Sequence, residues 1–250
     1  MVNYLRSEFY KVSRRKYTYG FLLVLLAGAA FLVGTWAYTN SRGNNIGFSG
    51  GVSILAMMLN FGYYLTLITG DLAFSDQYKF NTLKNEVSYG LPRVRSYLGK
   101  LVTACVVALA ACAVVIGFYI ALCWVLLPHD PAVDGEVVKG IAFSVFAMLP
   151  LWLGAQALTI FFFFTFKSST AASVAVVGVL MGIPELLKLL AYFVNPGFNS
   201  VKRFLLIGAY ETMPALGDWA TLGYGCAVGA GWFLVATVAG ILTLRKREIN

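Results

Sequence analysis

Few residues in this chain have the type and spacing for chemistry. The single histidine, His129, stands beside Asp130 in "LPHDPAVDGE", and one imidazole with one carboxylate cannot hold a metal without ligands from elsewhere. No H-E-x-x-H or G-x-x-x-x-G-K-[ST] occurs, so zinc hydrolysis and a P-loop both lack their residues. No catalytic residue and no metal site is assigned. "GYGCAVGAG" approaches a dinucleotide glycine fingerprint, but it sits in an apolar run with no strand before it. Gly225 and Gly229 read instead as a small-xxx-small pair that lets helices approach closely. Cys105, Cys112, Cys123 and Cys226 also fall in apolar runs, without C-x-x-C spacing, and read as small packing residues.

Two polar sets remain. Met57, Asn60, Tyr64, Leu67 and Asp71 recur at i, i+3, i+7, i+10 and i+14, which puts Asn60, Tyr64 and Asp71 on one helical face. An amide and a phenol in hydrocarbon need partners or water. That face therefore either makes interhelical hydrogen bonds or lines a substrate path through Met57, Asn60 and Tyr64. In "IPELLKLLAYF", Glu185 and Lys188 lie one turn apart, either as an outer gate or as a boundary ion pair with Lys188 snorkelling.

The elements that must position these groups belong in lipid. Of 250 residues, 59% are hydrophobic and 12% charged, with mean hydropathy +0.76; soluble domains carry about 25% charged residues. Six runs, 17–38, 52–73, 98–127, 141–166, 171–194 and 221–244, reach the ~20 residues that cross a hydrocarbon core of about 30 Å. The spacing predicts an all-α polytopic membrane protein forming a single domain over 1–250. "IFFFFTF", closing the fourth run, reads as lipid-facing bulk, and the short "KSST" link packs the fourth and fifth spans side by side. Outside the spans, 195–220 contains an apolar piece too short to cross, which suits a partly re-entrant segment.

Charge fixes the expected orientation. Of the 19 Lys and Arg, five precede the first run, five lie in the 74–100 insert, Lys167 separates the fourth and fifth runs, and three close the chain. The opposite side has Arg42, Lys139, Lys202 and Arg203. By the positive-inside rule both termini are cytoplasmic, and the basic groups read as topology and lipid-headgroup anchors, with no nucleic acid among the partners. Before the first run, residues 1–16 place Leu5, Phe9 and Val12 on one face, the pattern of an interfacial amphipathic helix, with Glu8 and Lys11 paired on its wet side.

The polar insert "FSDQYKFNTLKNEVSYGLPRVRSYLGK" interrupts the chain between the second and third runs. Phe80, Leu83 and Val87 recur at i, i+3 and i+7, predicting a short helix with a polar face, which Gly90 and Pro92 stop. These residues resemble the loop after the second span of ABC-2-type ABC exporter permeases, a match carried by Thr82, Leu83, Lys84, Glu86, Ser88, Gly90, Arg93 and Lys100. Pro92 departs mildly from the family pattern. "EFYKVSRRK", with Glu8 and Lys11, resembles that family's E-x-x-K leading helix, and "LRKREI" resembles its basic ending.

The resemblance implies a type-2 ABC exporter fold with a cytoplasmic coupling loop over 74–97, where Thr82, Leu83, Lys84, Glu86, Ser88, Gly90, Pro92 and Arg93 seat an ATPase. It implies a bacterial cytoplasmic-membrane location, two cytosolic ATP-binding subunits, a second six-span permease, identical or related, and a path lined by spans two and five. ATP and Mg would sit on the partner subunits and this chain would bind no cofactor. The compact size is similar to permeases of antimicrobial-peptide, lantibiotic and bacitracin resistance. A membrane-anchored sensor or scaffold that recruits an ATPase without moving cargo is the alternative.

Overall fold

A chain in hydrocarbon must satisfy its backbone N–H and C=O groups internally, which helices do. In the computed structural model, which describes residues 2–74, 85–86, 88–166, 168–212 and 214–246, helices dominate and no strand occurs among the described residues. They are α1 (Val2–Ser13), α2 (Lys16–Asn40), α3 (Phe48–Met58), α4 (Phe61–Phe74), α5 (Arg93–Leu126), α6 (Asp134–Thr165), α7 (Ser169–Val177), a π-helical turn (Gly178–Gly182), α8 (Ile183–Phe193), α9 (Phe198–Lys202), α10 (Leu206–Glu211) and α11 (Trp219–Lys246). α2, α5, α6, the α7–α8 unit and α11 are each long and apolar enough to cross a membrane, and α3 with α4 makes a sixth, bent span. α1 packs on the first turns of α5, and Arg93 there bonds to the end of α11, so both ends of the described chain share one face, the terminal face. At the distal face Phe48 N–H donates to Pro128 O, joining α3 to the end of α5.

The second span is not the continuous helix expected from 52–73. α3 and α4 meet at 58° across Leu59 and Asn60, and no proline causes it. Sharp kinks arise where side chains enter the backbone ladder. Here Trp152 Nε1 donates to Leu59 O at 3.2 Å and Tyr210 Oη donates to Met57 O at 3.2 Å, taking carbonyls that a straight helix would give to its own next turn. Gly62 permits the approach, because any Cβ there would run into the Trp152 ring. The bend also breaks the expected common face of Met57, Asn60, Tyr64 and Asp71: Met57 belongs to α3, Tyr64 and Asp71 to α4.

α6 is the axis of the bundle and is the most buried of the continuous spans. Its inner end corrects the reading of "IFFFFTF" as lipid-facing bulk. Phe163 and Phe164 are buried against Phe74, and Phe164 also packs on Tyr97, because α4 and α5 close over that face of the helix. Two short helices, α9 and α10, occupy the 195–220 segment. Tyr63 Oη donates to Leu206 O and Trp232 Nε1 to Phe204 O, fastening them to span two and to α11. Any side chain at Gly208 would collide with Lys202 O, so the fold between α9 and α10 requires glycine.

α11 packs on α6 along more of its length than any other helix pair does. Gly229 faces Gly154 there: a Cβ at Gly154 would lie 2.8 Å from Gly229 O, and one at Gly229 would collide with the Pro150 backbone. Gly225 is not the partner in this contact, since a Cβ at Gly225 meets no atom within 4 Å. Replacing Gly229 with Ala therefore overpacks a backbone contact and is expected to cost about 1–3 kcal/mol. Gly225→Ala should be neutral or gain up to about 1 kcal/mol of helix propensity. Thermal unfolding of the two variants in detergent checks the contrast.

Candidate coupling site

α5 has 34 residues and is about 51 Å long, well beyond a hydrocarbon core of about 30 Å. Its first turns stand out at the terminal face, and α1 lies against them. α1 buries Val12 and, against the expectation of a wet-side pair, Glu8, which is 1% exposed. Glu8 accepts from Lys11 Nζ at 2.6 Å and from Lys100 Nζ at 2.9 Å, and the Lys100 side chain is 0% exposed. Two ammonium groups around one carboxylate are what allow it to leave water. Gly99 makes the approach feasible, because a side chain there would collide with the Tyr4 ring.

The insert joins the same cluster through Glu86. Its Oε1 accepts from Lys11 Nζ at 3.1 Å, while Oε2 accepts from Tyr4 Oη at 3.1 Å and Ser96 Oγ at 3.2 Å. The local backbone supports this position. Leu91 N–H reaches back to Glu86 O, and Gly90, at φ 89°, supplies the left-handed turn that ends the helical piece before Pro92 caps α5. Arg93 Nη1 then donates to Leu244 O at 3.0 Å and Arg245 O at 3.2 Å, in the last described turn of α11. Arg15 likewise donates to Leu72 O at the end of α4. The polar insert, both chain ends and the bases of spans one, two, three and six are thereby tied together.

Burial pushes the Glu8 carboxyl up, but the Lys100 charge and the Lys11 hydrogen bond outweigh it and hold the group below the usual glutamate range. Burial pulls Lys11 down, and its bonds to Glu8 and Glu86 outweigh that and raise it. Tyr4 is raised by burial and the neighbouring carboxylates, so its hydroxyl stays a donor.

Within the membrane, Thr66 and Thr69 of α4 meet Thr159 and Gln156 of α6 at 3.2 and 2.6 Å. Asp71 accepts from Ser169 Oγ at 2.6 Å, which seats the fifth span on the second. Asn60, at the bend, has a buried Oδ1 with no hydrogen-bond partner. Glu185 and Lys188 pair at 3.6 Å with both side chains more than half exposed. His129 contacts Asp134 at 3.1 Å and Trp124 O at 2.7 Å in the distal loop.

Residues 4–185 match the family model described as ABC-2 family transporter protein. The chain belongs to that family. No curated protein matches the sequence. An ABC-2 permease is the membrane subunit of an ABC transporter and works with an ATP-binding subunit. The match takes in α1, the insert and the cluster around Glu8.

Of the residues singled out in the permease's insert, Thr82, Leu83 and Lys84 lie outside the described residues. Glu86 and Arg93 come within reach of α1 and α11 respectively, Gly90 and Pro92 shape the turn between them, and Ser88 makes no side-chain bond among the described residues. Sequence reading missed Tyr4 and Ser96, whose hydroxyls complete the Glu86 site, and Trp152 and Tyr210, which hold the bend. The one signal was Lys100, a cation just inside an apolar run with no acid within a turn of it on its own helix.

Removing the Glu8 carboxylate leaves the Lys100 charge buried without its closest partner, so Glu8→Ala is expected to cost about 3–5 kcal/mol, with the Glu8→Gln/Lys100→Met pair recovering much of it. The depressed Glu8 group contributes fully above the unfolded value of about 4.3, and its share is lost as pH falls through the lower folded value. The raised Lys11 group contributes below about 10.4 and fails only as pH rises through its higher folded value. The hydrogen-exchange protection of α1, corrected for the intrinsic pH dependence of amide exchange, should therefore be flat across neutral pH and fall sharply in acid.

Proposed function

We propose that this permease drives ATP-dependent export of a hydrophobic or amphipathic cargo, an antimicrobial peptide or drug, from a bacterial cytoplasmic membrane. The terminal face is then cytosolic, and the 74–97 segment, with Glu86 and Arg93, is the seat of the ATP-binding subunits. One observation carries the reading: Glu86 links the polar insert to both α1 and the base of span three, so a partner that moves the insert moves the bundle with it. The charge count at this face supports its cytosolic placement, and the scarcity of charged groups between the spans favours an apolar cargo over a small ion. Two such chains, or this chain and a related one, pair about a path beside spans two and five, where Met57, Asn60 and Tyr64 lie and Glu185 and Lys188 mark the outer end. Nucleotide-driven closure of the partners rocks the two halves apart on the distal side.

Tyr89 is 92% exposed beside the turn and offers a site for testing orientation. A Tyr89→Cys chain should react with a membrane-impermeant maleimide in inverted vesicles and not in intact cells; labelling in intact cells would overturn the orientation. In proteoliposomes containing the ATP-binding subunit, Glu86→Ala and Arg93→Ala should lower efflux of a labelled cationic amphipathic peptide at least tenfold while ATP hydrolysis persists. Unchanged efflux by both variants would sink the coupling assignment. Hydrolysis with no efflux even by the unsubstituted chain would favour the sensor reading.

A further inference from the structure

A hollow of about 400 Å³ opens between α2, the two halves of span two, α5 and α6, with no residue of the fifth span in its wall. Its volume is in the range of ligand pockets, about 300–1,000 Å³. Small residues carve it: Gly28 on α2 and Cys105, Ala108 and Cys112 on α5. Along α5 the wall runs from Cys105 to Tyr119, about 21 Å at 1.5 Å per residue, longer than one leaflet's share of a core of about 30 Å.

Three properties select the occupant. The hollow lies at the depth of the spans, and of α2's 25 residues only Val33 is buried, so the rest of the chain leaves most of the α2 surface uncovered. Most of the polar groups in its wall bond within the protein, which leaves the Tyr64 hydroxyl and the Gln156 amide nitrogen without a hydrogen bond among the described residues. Thr66 donates to Tyr63 O, Thr69 to Gln156 Oε1, Tyr119 to Gly51 O and Trp152 to Leu59 O. The Gln156 amide nitrogen is buried against Gly70 rather than open to the space. Water, which needs two to four polar partners, finds little to hold it. The shape is elongated along the spans, and the remaining wall is aliphatic and aromatic.

We propose that this hollow is a resident site for one acyl chain of a membrane phospholipid, which enters between α2 and α4 and lies along α5. Leu55 and Met58 before the bend of span two, and Phe61 and Gly62 after it, all line the space. The chain therefore fills the hollow beside the bend and supports it from the lipid side, opposite in kind to the hydrogen bonds from Trp152 and Tyr210. Tyr64, placed on the proposed cargo path, also lines this space, and the inference depends on neither the identity nor the direction of that cargo.

The test uses the full chain in vesicles of phosphatidylcholine and phosphatidylglycerol containing a phospholipid with a diazirine in its acyl chain. After illumination, adducts mapped by mass spectrometry should fall on the Cys105–Tyr119 stretch at least tenfold above those at Leu234 and Val235, which are exposed on α11. Labelling no stronger than at Leu234 and Val235 would overturn the site. In native mass spectrometry the chain should retain one phospholipid after detergent exchange. A side chain at Gly28 meets no atom within 4 Å and would enter the hollow, so Gly28→Phe should cut retention at least tenfold. Gly231→Phe, at an equally open glycine of α11, should leave it unchanged. Equal retention by Gly28→Phe and the unsubstituted chain would count against the proposal, and the crosslinking arm needs no substitution should Gly28→Phe fail to fold.

Discussion

A carboxylate cannot be taken out of water at the foot of a membrane bundle unless cations come with it, and Glu8 is satisfied by Lys11 from its own helix and Lys100 from the base of span three. That arrangement alone would leave an excess positive charge. Glu86 supplies the second negative charge, reaching Lys11 on one oxygen and two hydroxyls on the other, so the cluster holds two carboxylates and two ammonium groups. The balance explains why three segments far apart in sequence must meet at one point: α1 brings an acid and a base, span three a base, the insert an acid. Loss of α1 or of span three would strand a charge at the closed Glu8–Lys100 pair, whereas Glu86 meets Lys11 at the open edge of the cluster, where the Lys11 side chain is 45% exposed.

The membrane half obeys the same rule with neutral groups. A bent span exposes carbonyls, and in hydrocarbon each exposed carbonyl costs several kcal/mol, of order 2–7, unless a donor finds it. Tyr210 from α10 is that donor for Met57 O, and Trp152 from α6 adds a second bond to Leu59 O beside the one from Gly62 N–H at 3.0 Å. Span two consequently has two mechanical allegiances. Below the bend, Thr66 and Thr69 tie it to α6; at and above it, the Met57 carbonyl is held by α10, itself fastened by Tyr63 and Trp232.

How much of this was legible follows from what each feature depends on. Span number and the amphipathic first helix are properties of local composition, and a run of twenty apolar residues has few alternatives in water or lipid. The turn at Gly90 was equally local, since left-handed backbone selects glycine wherever it occurs. The bend at Leu59 was not legible, because its cause lies 93 and 153 residues away in Trp152 and Tyr210. The same distance effect misled the reading of Phe163 and Phe164, whose apolar character says that they avoid water but not whether lipid or protein covers them. Glu8 was placed on the wet side because a charged residue on an amphipathic helix ordinarily belongs there; its pairing with Lys11 is as expected, but its second partner, Lys100, is 92 residues on.

The stiff base and the bent span are linked through α5 and α6. A displacement of the insert reaches Ser96 and Lys11 through one carboxylate, and Lys100 through Glu8, so α1 and α5 move together. Tyr97, in the same turn of α5, packs against Phe164 of α6, and its hydroxyl donates to Ala236 O of α11. α6 carries both Trp152 and Gln156, the two groups that grip span two at and below its bend. Motion at the terminal face is thereby delivered to the one place in the membrane where a span is already broken and its carbonyls are held by side chains. A side-chain donor can be exchanged at a cost of about 1 kcal/mol, whereas straightening or re-bending an intact helix requires breaking its own ladder; a span prepared in this way is where a rigid lever can have a flexible result.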